Sequence, residues 1–171
     1  MADLEKGLAT GKSYRFNKPM IYKMITALAD FDPNYRALNQ IILDSDAMEA
    51  SSIVGFADIN KGGNFHTHPA YIDGLSQVGG FVMNANERSD LNVEVFINHG
   101  WKSFQLYEKL SASKTYSTHV SMYEKPGKMW EGDVVVFEGE RVVAAFGSIV
   151  VRWYFLFYTR HCSSSHSAGL K

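Results

Sequence analysis

The first candidate for chemistry is a carboxylate within the most apolar helical segment of the 171-residue chain. Asp73 stands among Tyr71, Ile72 and Leu75, in a run whose apolar residues cover nearly the whole circumference of a helix. An unpaired carboxylate is costly there, so Asp73 should be hydrogen-bonded, protonated or directed toward a cavity. Gln77 follows one turn later on the same face, where its amide could bond to the carboxyl group. Asp73 is therefore either a functional acid or a helix-interior residue bonded to a backbone group.

Two histidines precede this helix and could act together with Asp73. In an extended segment His66 and His68 point to the same side, and two imidazoles with a carboxylate can bind Zn²⁺. Their spacing matches no established metal signature, however, and a His-Pro pair has an ordinary role at a helix start. We therefore predict no metal site, and structural positions for both histidines near the helix N-terminus.

The remaining polar candidates lie further along the chain. Asn98 ends an alternating segment and matters for function only if it reaches the cavity that holds Asp73. His119 falls within a predicted strand and is assigned to a face of the sheet, and Cys162 has no partner motif for a nucleophile. The sequence contains no nucleophile-elbow, phosphate-loop or dinucleotide-binding motif.

Charge and composition exclude several classes of partner. The 17 basic and 18 acidic residues give a net charge of −1, which offers no argument for binding nucleic acid or an anionic membrane. The longest apolar run, 149–158, is interrupted by Arg152 and is too short to span a bilayer as a helix. A single cysteine excludes an internal disulfide and fits a reducing compartment. We therefore predict a soluble, cytoplasmic protein.

The order of predicted elements indicates one hotdog domain of the α+β class, a curved antiparallel sheet around a buried central helix. The predicted domain organisation is a helical lead-in over 1–36, a hotdog over 37–148, and a divergent aromatic and Ser-rich tail over 149–171 with a disordered end. The predicted elements are a helix over 20–28, strands over 37–43 and 47–59, the central helix over 68–84, and strands over 91–98, 101–107, 115–123, 133–137 and 141–150 or beyond.

Several motifs occur in the same order as in a known family. The string HTHPAYIDGLSQ at 66–77 resembles the helix start of polyketide-synthase dehydratase-type hotdogs, which carry His-Pro, an Asp four residues after the Pro, and a Gln four residues further. The strings RFNKPMIYK at 15–23, FDPNY at 31–35, GGFVMNAN at 79–86 and NHGW at 98–101 resemble the product-template domain of fungal non-reducing polyketide synthases. The resemblance runs from about residue 14 to about residue 147.

This resemblance implies a double hotdog that takes a linear poly-β-ketone, tethered to an acyl carrier protein by phosphopantetheine. The family directs regiospecific aldol cyclisation and aromatisation without a metal or redox cofactor, using a His from the first hotdog and an Asp from the second. By motif, the catalytic Asp corresponds to Asp73, and Gln77 and Asn98 correspond to polar residues of the same pocket. His68, in the same string as Asp73, is a further candidate for this pocket.

The chain also departs from the family pattern. It resembles only the second hotdog, none of its six histidines matches the catalytic His motif, and the resemblance ends at the run 148–158. We therefore expect a truncated product-template-like protein with little or no cyclase activity alone, which self-associates to cover its open surface. The alternatives are a non-catalytic module that binds acyl or polyketide intermediates or associates with a synthase, and a non-functional remnant of a synthase gene.

Overall fold

The computed structural model describes residues 1–26, 29–59 and 62–156. No described helix is long and apolar enough to cross a membrane. The predicted disorder of the Ser-rich end concerns residues beyond this range. In chain order, the described elements are α1 (Ala2–Thr10), β1 (Tyr14–Asn17), α2 (Lys18–Ile25), a 3-10 turn (Pro33–Tyr35), β2 (Leu38–Asp44), β3 (Glu49–Gly55), α3 (Pro69–Asn84), β4 (Glu94–Leu106), β5 (Thr115–Lys125), β6 (Met129–Glu138) and β7 (Arg141–Phe155).

The seven strands form one antiparallel sheet in the order β1-β2-β3-β5-β6-β7-β4. Helix α3 contacts every strand from β2 to β7, so the sheet curves around it. A long helix enclosed by one curved antiparallel sheet is the hotdog architecture, and the α+β prediction is confirmed.

Local chemistry explains where α3 begins and how closely it packs. The Nδ1 atom of His68 accepts a hydrogen bond of 3.2 Å from the Ala70 amide, and Pro69 occupies the first helical turn, where its missing N–H costs nothing. Gly74 lets the helix approach the start of β2, because a Cβ atom at this position would lie only 2.5 Å from the Cβ of Ala37. The helix is thus positioned by a cap and by a close backbone contact.

One side of α3 is not covered by the sheet. Ile72, Asp73, Gln77 and Gly80 are half-buried, whereas the positions between them are buried. A Cβ atom built on Gly80 would meet no other atom within 4 Å. The helix predicted to be buried all round therefore has an open stripe, which we define as Ile72, Asp73, Gln77 and Gly80.

The sheet extends beyond the predicted hotdog bounds of 37–148 at both ends. Strand β1 lies within the predicted lead-in and pairs with β2, and β7 continues into the predicted tail as far as Phe155. Four residues are too few for β1 to show an alternating pattern. In β7, the buried Ile149 and Val151 alternate with the less buried Val150 and Arg152, which is the period of a strand with one covered face.

The prediction of two separate strands over 91–98 and 101–107 is wrong. A single strand, β4, runs through this region, and its pairing with β7 shifts register between Asn98 and Gly100. Gly100 has a φ of 122°, a conformation that only glycine adopts readily. At the place where a break between strands was predicted, Gly100 thus allows a bulge within one strand.

Trp153 ties the end of β7 to the rest of the sheet. Its Nε1 atom donates a hydrogen bond of 2.6 Å to Oε2 of Glu94 at the start of β4. The Lys128 ammonium group lies 3.7 Å from the centre of the indole ring, on the turn between β5 and β6. The first residues of the divergent tail are therefore an integral part of this sheet.

Candidate active site on the open face of helix α3

Asp73 and Gln77 form a hydrogen-bonded pair on the open stripe of α3. The Nε2 atom of Gln77 donates to Oδ2 of Asp73 over 2.6 Å. Both side chains are half-buried, so the pair is held by the helix yet remains accessible from the uncovered side. The contact expected from the i, i+4 spacing is present, and the catalytic role of Asp73 remains a prediction.

The Gln77 amide has two further partners from other elements. Nε2 also donates to the backbone carbonyl of Tyr35 over 2.8 Å, and Oε1 accepts from the hydroxyl group of Tyr22 over 3.0 Å. The Tyr22 oxygen in turn accepts a hydrogen bond of 3.0 Å from the backbone N–H of Leu38. These bonds link α2, the 3-10 turn, the start of β2 and α3 in one polar network.

The surroundings shift the acidity of both ends of this network. Burial raises the pKa of Asp73 above its ordinary value, and the hydrogen bond from Gln77 opposes that change. Burial also raises the pKa of Tyr22 far above its ordinary value, and the nearby Asp73 charge adds to the rise, against the Leu38 hydrogen bond and the Arg36 charge. Tyr22 therefore remains a neutral hydroxyl donor, while Asp73 holds protons more tightly than a solvated carboxylate.

Sequence reasoning did not identify Tyr22 as part of the site. Tyr22 is buried with Ile21 and Ile25 in α2, so its local pattern is that of a core residue. Its partner Gln77 lies 55 positions away along the chain. The only signal available was its place in the string at 15–23, which carried the family resemblance and not a role.

His68 lies at the N-terminus of α3 and lines a different space from Asp73. Its ring is 5.3 Å from the rings of both Phe65 and Tyr71. These three residues border a cavity of about 360 Å³ between the loop before α3 and the residues that follow β4, and Asp73 is not among its lining residues. His68 thus has the helix-start position expected of it, and its place in a substrate pocket remains a prediction.

Asn98 is occupied by its own turn in this structure. Its Oδ1 atom accepts a hydrogen bond of 2.8 Å from the Gly100 amide across the β4 bulge, and its side chain is exposed. Within the described residues it makes no hydrogen bond to Asp73 or Gln77. The structure therefore brings Gln77 to Asp73 but does not bring Asn98 to them, and Asn98 has the turn-forming role considered for it.

The other histidines within residues 1–26, 29–59 and 62–156 lie elsewhere, and His99 bonds to Tyr154. His66 is exposed beside Thr67, and His119 lies on the sheet with its Nε2 atom 2.8 Å from Glu49. In residues 1–26, 29–59 and 62–156, no three His, Cys, Asp or Glu side chains come together as potential metal ligands. The described part of the chain therefore offers Asp73 as the acidic group of the open stripe, without a histidine beside it.

The chain is similar in sequence to short segments of fungal non-reducing polyketide synthases. None of the available family models matches the chain. It is 49% identical over 152 residues to the non-reducing polyketide synthase VdtA of Byssochlamys spectabilis, covering 89% of this chain and 7% of that synthase. It is 50% identical over 149 residues to pgmA of Aspergillus terreus, covering 87% and 6%, and 55% identical over 131 residues to CTB1 of Cercospora nicotianae, covering 77% and 6%. The chain thus spans less than a tenth of these relatives.

Solved structures provide a fold comparison at low sequence identity. The dehydratase domain of PpsC from Mycobacterium tuberculosis, in complex with C12:1-CoA, matches with a TM-score of 0.68 and 14% identity over 83% of this chain and 53% of its own. Two inactive variants of the CurK dehydratase, one Asp-to-Asn and one His-to-Phe, match with TM-scores of 0.64 and 0.65, each at 14% identity. They cover 90% and 91% of this chain and about half of their own chains (52% and 53%).

Proposed function

We propose that this chain, which is homologous to a segment of the fungal non-reducing polyketide synthases and has the fold of dehydratase hotdog domains, is the aspartate-bearing half of a product-template active site. The reaction class is aldol cyclisation and aromatisation of a carrier-bound poly-β-ketone. One observation carries the proposal: Gln77 donates to Asp73 over 2.6 Å on the one side of α3 that the sheet leaves open.

The role of Asp73 follows from the chemistry of poly-β-ketones. A carbon between two carbonyl groups is already acidic, and a base near neutral pKa, such as a histidine, suits its deprotonation. A carboxyl group can hold such a histidine in orientation through a hydrogen bond and stabilise its charged form. Asp73, with one oxygen already bonded to Gln77, is arranged for this supporting role and not for that of the base itself.

The histidine would come from a companion hotdog that packs against the open stripe. Among the described residues, no histidine bonds to Asp73. In the CurK dehydratase, an Asp-to-Asn and a His-to-Phe variant are both inactive, which supports a site that needs both residue types. We propose that the physiological partners are this companion hotdog and an acyl carrier protein with its phosphopantetheine-tethered intermediate.

The test is complementation of a synthase. The purified chain is added to a non-reducing polyketide synthase whose product-template domain carries an Asp-to-Ala substitution at the position matching Asp73, and the products are profiled by mass spectrometry. We expect the chain to restore regiospecific cyclisation. The Asp73→Asn variant, which keeps the side-chain volume and an acceptor for Gln77, serves as the matched control and should restore none.

Two outcomes would contradict the proposal. Equal restoration by the wild-type chain and Asp73→Asn would show that the carboxylate is not required. No restoration by a folded chain that still binds the synthase or its carrier protein would favour the non-catalytic binding module instead.

A further inference from the structure

We propose that Tyr22 is a positioning residue of this site: its hydroxyl group holds the Gln77 amide so that the NH₂ group faces the Asp73 carboxylate. The catalytic meaning of this role rests on the proposed function, whereas the positioning itself is a property of this chain alone. Tyr22 is not proposed to contact the substrate.

The hydrogen-bonding capacity of the amide explains why its orientation matters. A side-chain amide can rotate by half a turn and exchange its oxygen with its nitrogen. In the observed orientation, the two N–H groups serve Asp73 and the Tyr35 carbonyl, and the oxygen accepts from Tyr22. In the opposite orientation the amide oxygen would face two acceptors, the carboxylate and the carbonyl, and the NH₂ group would face the hydroxyl group. Three partners together thus select one orientation.

Tyr22 can hold the amide because it is itself fixed. Tyr22 as a whole residue is 6% exposed, and its hydroxyl oxygen accepts from the Leu38 N–H, so its own proton is directed to Gln77. The Phe31 ring packs edge-on at 6.0 Å, and the Arg36 guanidinium lies 5.8 Å from the ring centre. Since a buried Leu38 N–H needs an acceptor, the phenol satisfies the backbone and orients the amide at the same time.

The test follows the ionisation of Asp73 in the chain alone, so it does not depend on turnover. The Asp73 carboxyl carbon is titrated by NMR in the wild type and in Tyr22→Phe. Without the hydroxyl group the amide loses one of the contacts that fix it, so its bond to the carboxylate weakens. We expect the Asp73 midpoint to move to higher pH, because a hydrogen bond to the charged form is what lowers it.

A second tyrosine provides the matched control. Tyr116 is also buried, and its hydroxyl oxygen accepts a hydrogen bond of 2.8 Å from the Ser111 N–H, outside the network that contains Gln77. Tyr116→Phe should therefore lower stability in a similar way to Tyr22→Phe and leave the Asp73 titration unchanged. A merely structural role of Tyr22 predicts the same unchanged titration for both variants.

A variant of the intermediate residue tests whether Tyr22 acts through Gln77. In a Gln77→Met background, the additional Tyr22→Phe substitution should cause no further shift of the Asp73 midpoint. If Tyr22→Phe does not fold, the Tyr22 ring carbon bonded to oxygen is followed in the wild type. The chemical shift of this carbon should change with pH at the Asp73 midpoint while the phenol stays neutral. The Gln77→Met substitution should greatly reduce this change.

The two proposals fail in different ways. An unchanged Asp73 midpoint in Tyr22→Phe, or a Tyr22 response that persists undiminished in Gln77→Met, would overturn the positioning role whatever the chain does in a synthase. A failed complementation with the expected titration shifts would leave Tyr22 as a positioning residue and reject the cyclase function. If both proposals hold, Tyr22→Phe should lower kcat in the complemented synthase by about 10-fold to 100-fold with little change in KM, and Tyr116→Phe should not.

Discussion

Gln77 and Asp73, which lie one turn apart, bond to each other over 2.6 Å on the same helix that forms the centre of the hydrophobic core. Helix α3 buries Leu75, Val78 and Val82 against the sheet and leaves this polar pair half-buried on its open stripe. The same element thus supplies both the stability of the fold and the candidate site.

Asp73→Asn should stabilise the isolated chain at neutral pH. The folded pKa of Asp73 is raised above the unfolded value of about 3.9, mainly by burial. The folded state therefore binds the proton more tightly, and the free energy of unfolding falls as the pH rises from the unfolded pKa through the folded one. Asn removes this cost, so the variant should be more stable at pH 7 and lose its advantage below about pH 4. Urea denaturation across this pH range measures the difference.

The opposite change in stability is expected if the Asp73 carboxylate serves only to stabilise the fold. If its charge stabilised the fold, Asp73→Asn would be less stable than the wild type at pH 7, and the difference would shrink as the carboxylate became protonated. Glu5→Gln, at an exposed carboxylate of α1 that pairs with Arg15, provides the control for removing a surface charge and should change the stability little.

Two glycines of α3 should respond oppositely to alanine. Gly74→Ala places a methyl group against Ala37, so the helix or β2 must shift, and the free energy of unfolding should fall by about 1–3 kcal/mol. Gly80→Ala meets open space in a helical backbone and should raise it by about 0.5–1 kcal/mol. Thermal and chemical denaturation measure both variants, and equal effects at the two positions would contradict the packing described here.

Leu75→Ala should be strongly destabilising. Leu75 has no exposed surface, and removing a fully buried leucine costs about 2–5 kcal/mol through lost burial and a residual cavity. Ile72→Ala, three residues earlier on the open stripe, should cost clearly less. An unchanged melting temperature in Leu75→Ala would contradict the central position of α3.

Trp153→Phe should loosen the junction between β4 and the end of β7. The substitution removes the donor to Glu94 and the better cation–π partner of Lys128, which should cost about 1–3 kcal/mol. Amide exchange should accelerate first at the start of β4. Phe155→Leu, at a residue that is 42% exposed, provides the control, and equal effects of the two substitutions would show that the indole contacts contribute nothing specific.

The isolated chain should self-associate through the open stripe. Half-buried Ile72 and the space above Gly80 leave apolar helix surface uncovered, and a two-fold dimer would cover it on both copies. Gly80→Lys should reduce association in sedimentation experiments, because it places a charge in that space. Tyr123→Lys, at an exposed position on β5, should not. A wild-type chain that remains monomeric at high concentration would contradict this prediction.

The parts of the fold with strong local patterns were predictable from sequence. The central helix was predicted over 68–84 and is observed from Pro69 to Asn84, because its apolar run and its His-Pro start are local signals. The Asp73–Gln77 contact was equally predictable, since i, i+4 residues of a helix are neighbours.

The parts that depend on distant contacts were not predictable. Strand β1 is defined by its pairing with β2 and not by its own pattern, and the bulge at Gly100 depends on the register of β4 against β7. Tyr22 belongs to the site only because α2 and the 3-10 turn both reach Gln77 on α3. Such convergence carries no local sequence signature. For the same reason, the sequence could not predict that Asn98 lies apart from Asp73 and Gln77.

The double use of α3 limits how this scaffold can diversify. Any substitution that moves the helix to reshape the site also disturbs the packing of Leu75 and the close approach at Gly74. New substrate preferences should therefore arise in the segments that border the helix, above all the loop before α3 that carries Phe65, and only rarely within the helix itself. In a library of variants selected for folding alone, tolerated changes along α3 should recur with the helical period of about 3.6 residues and fall on the open stripe.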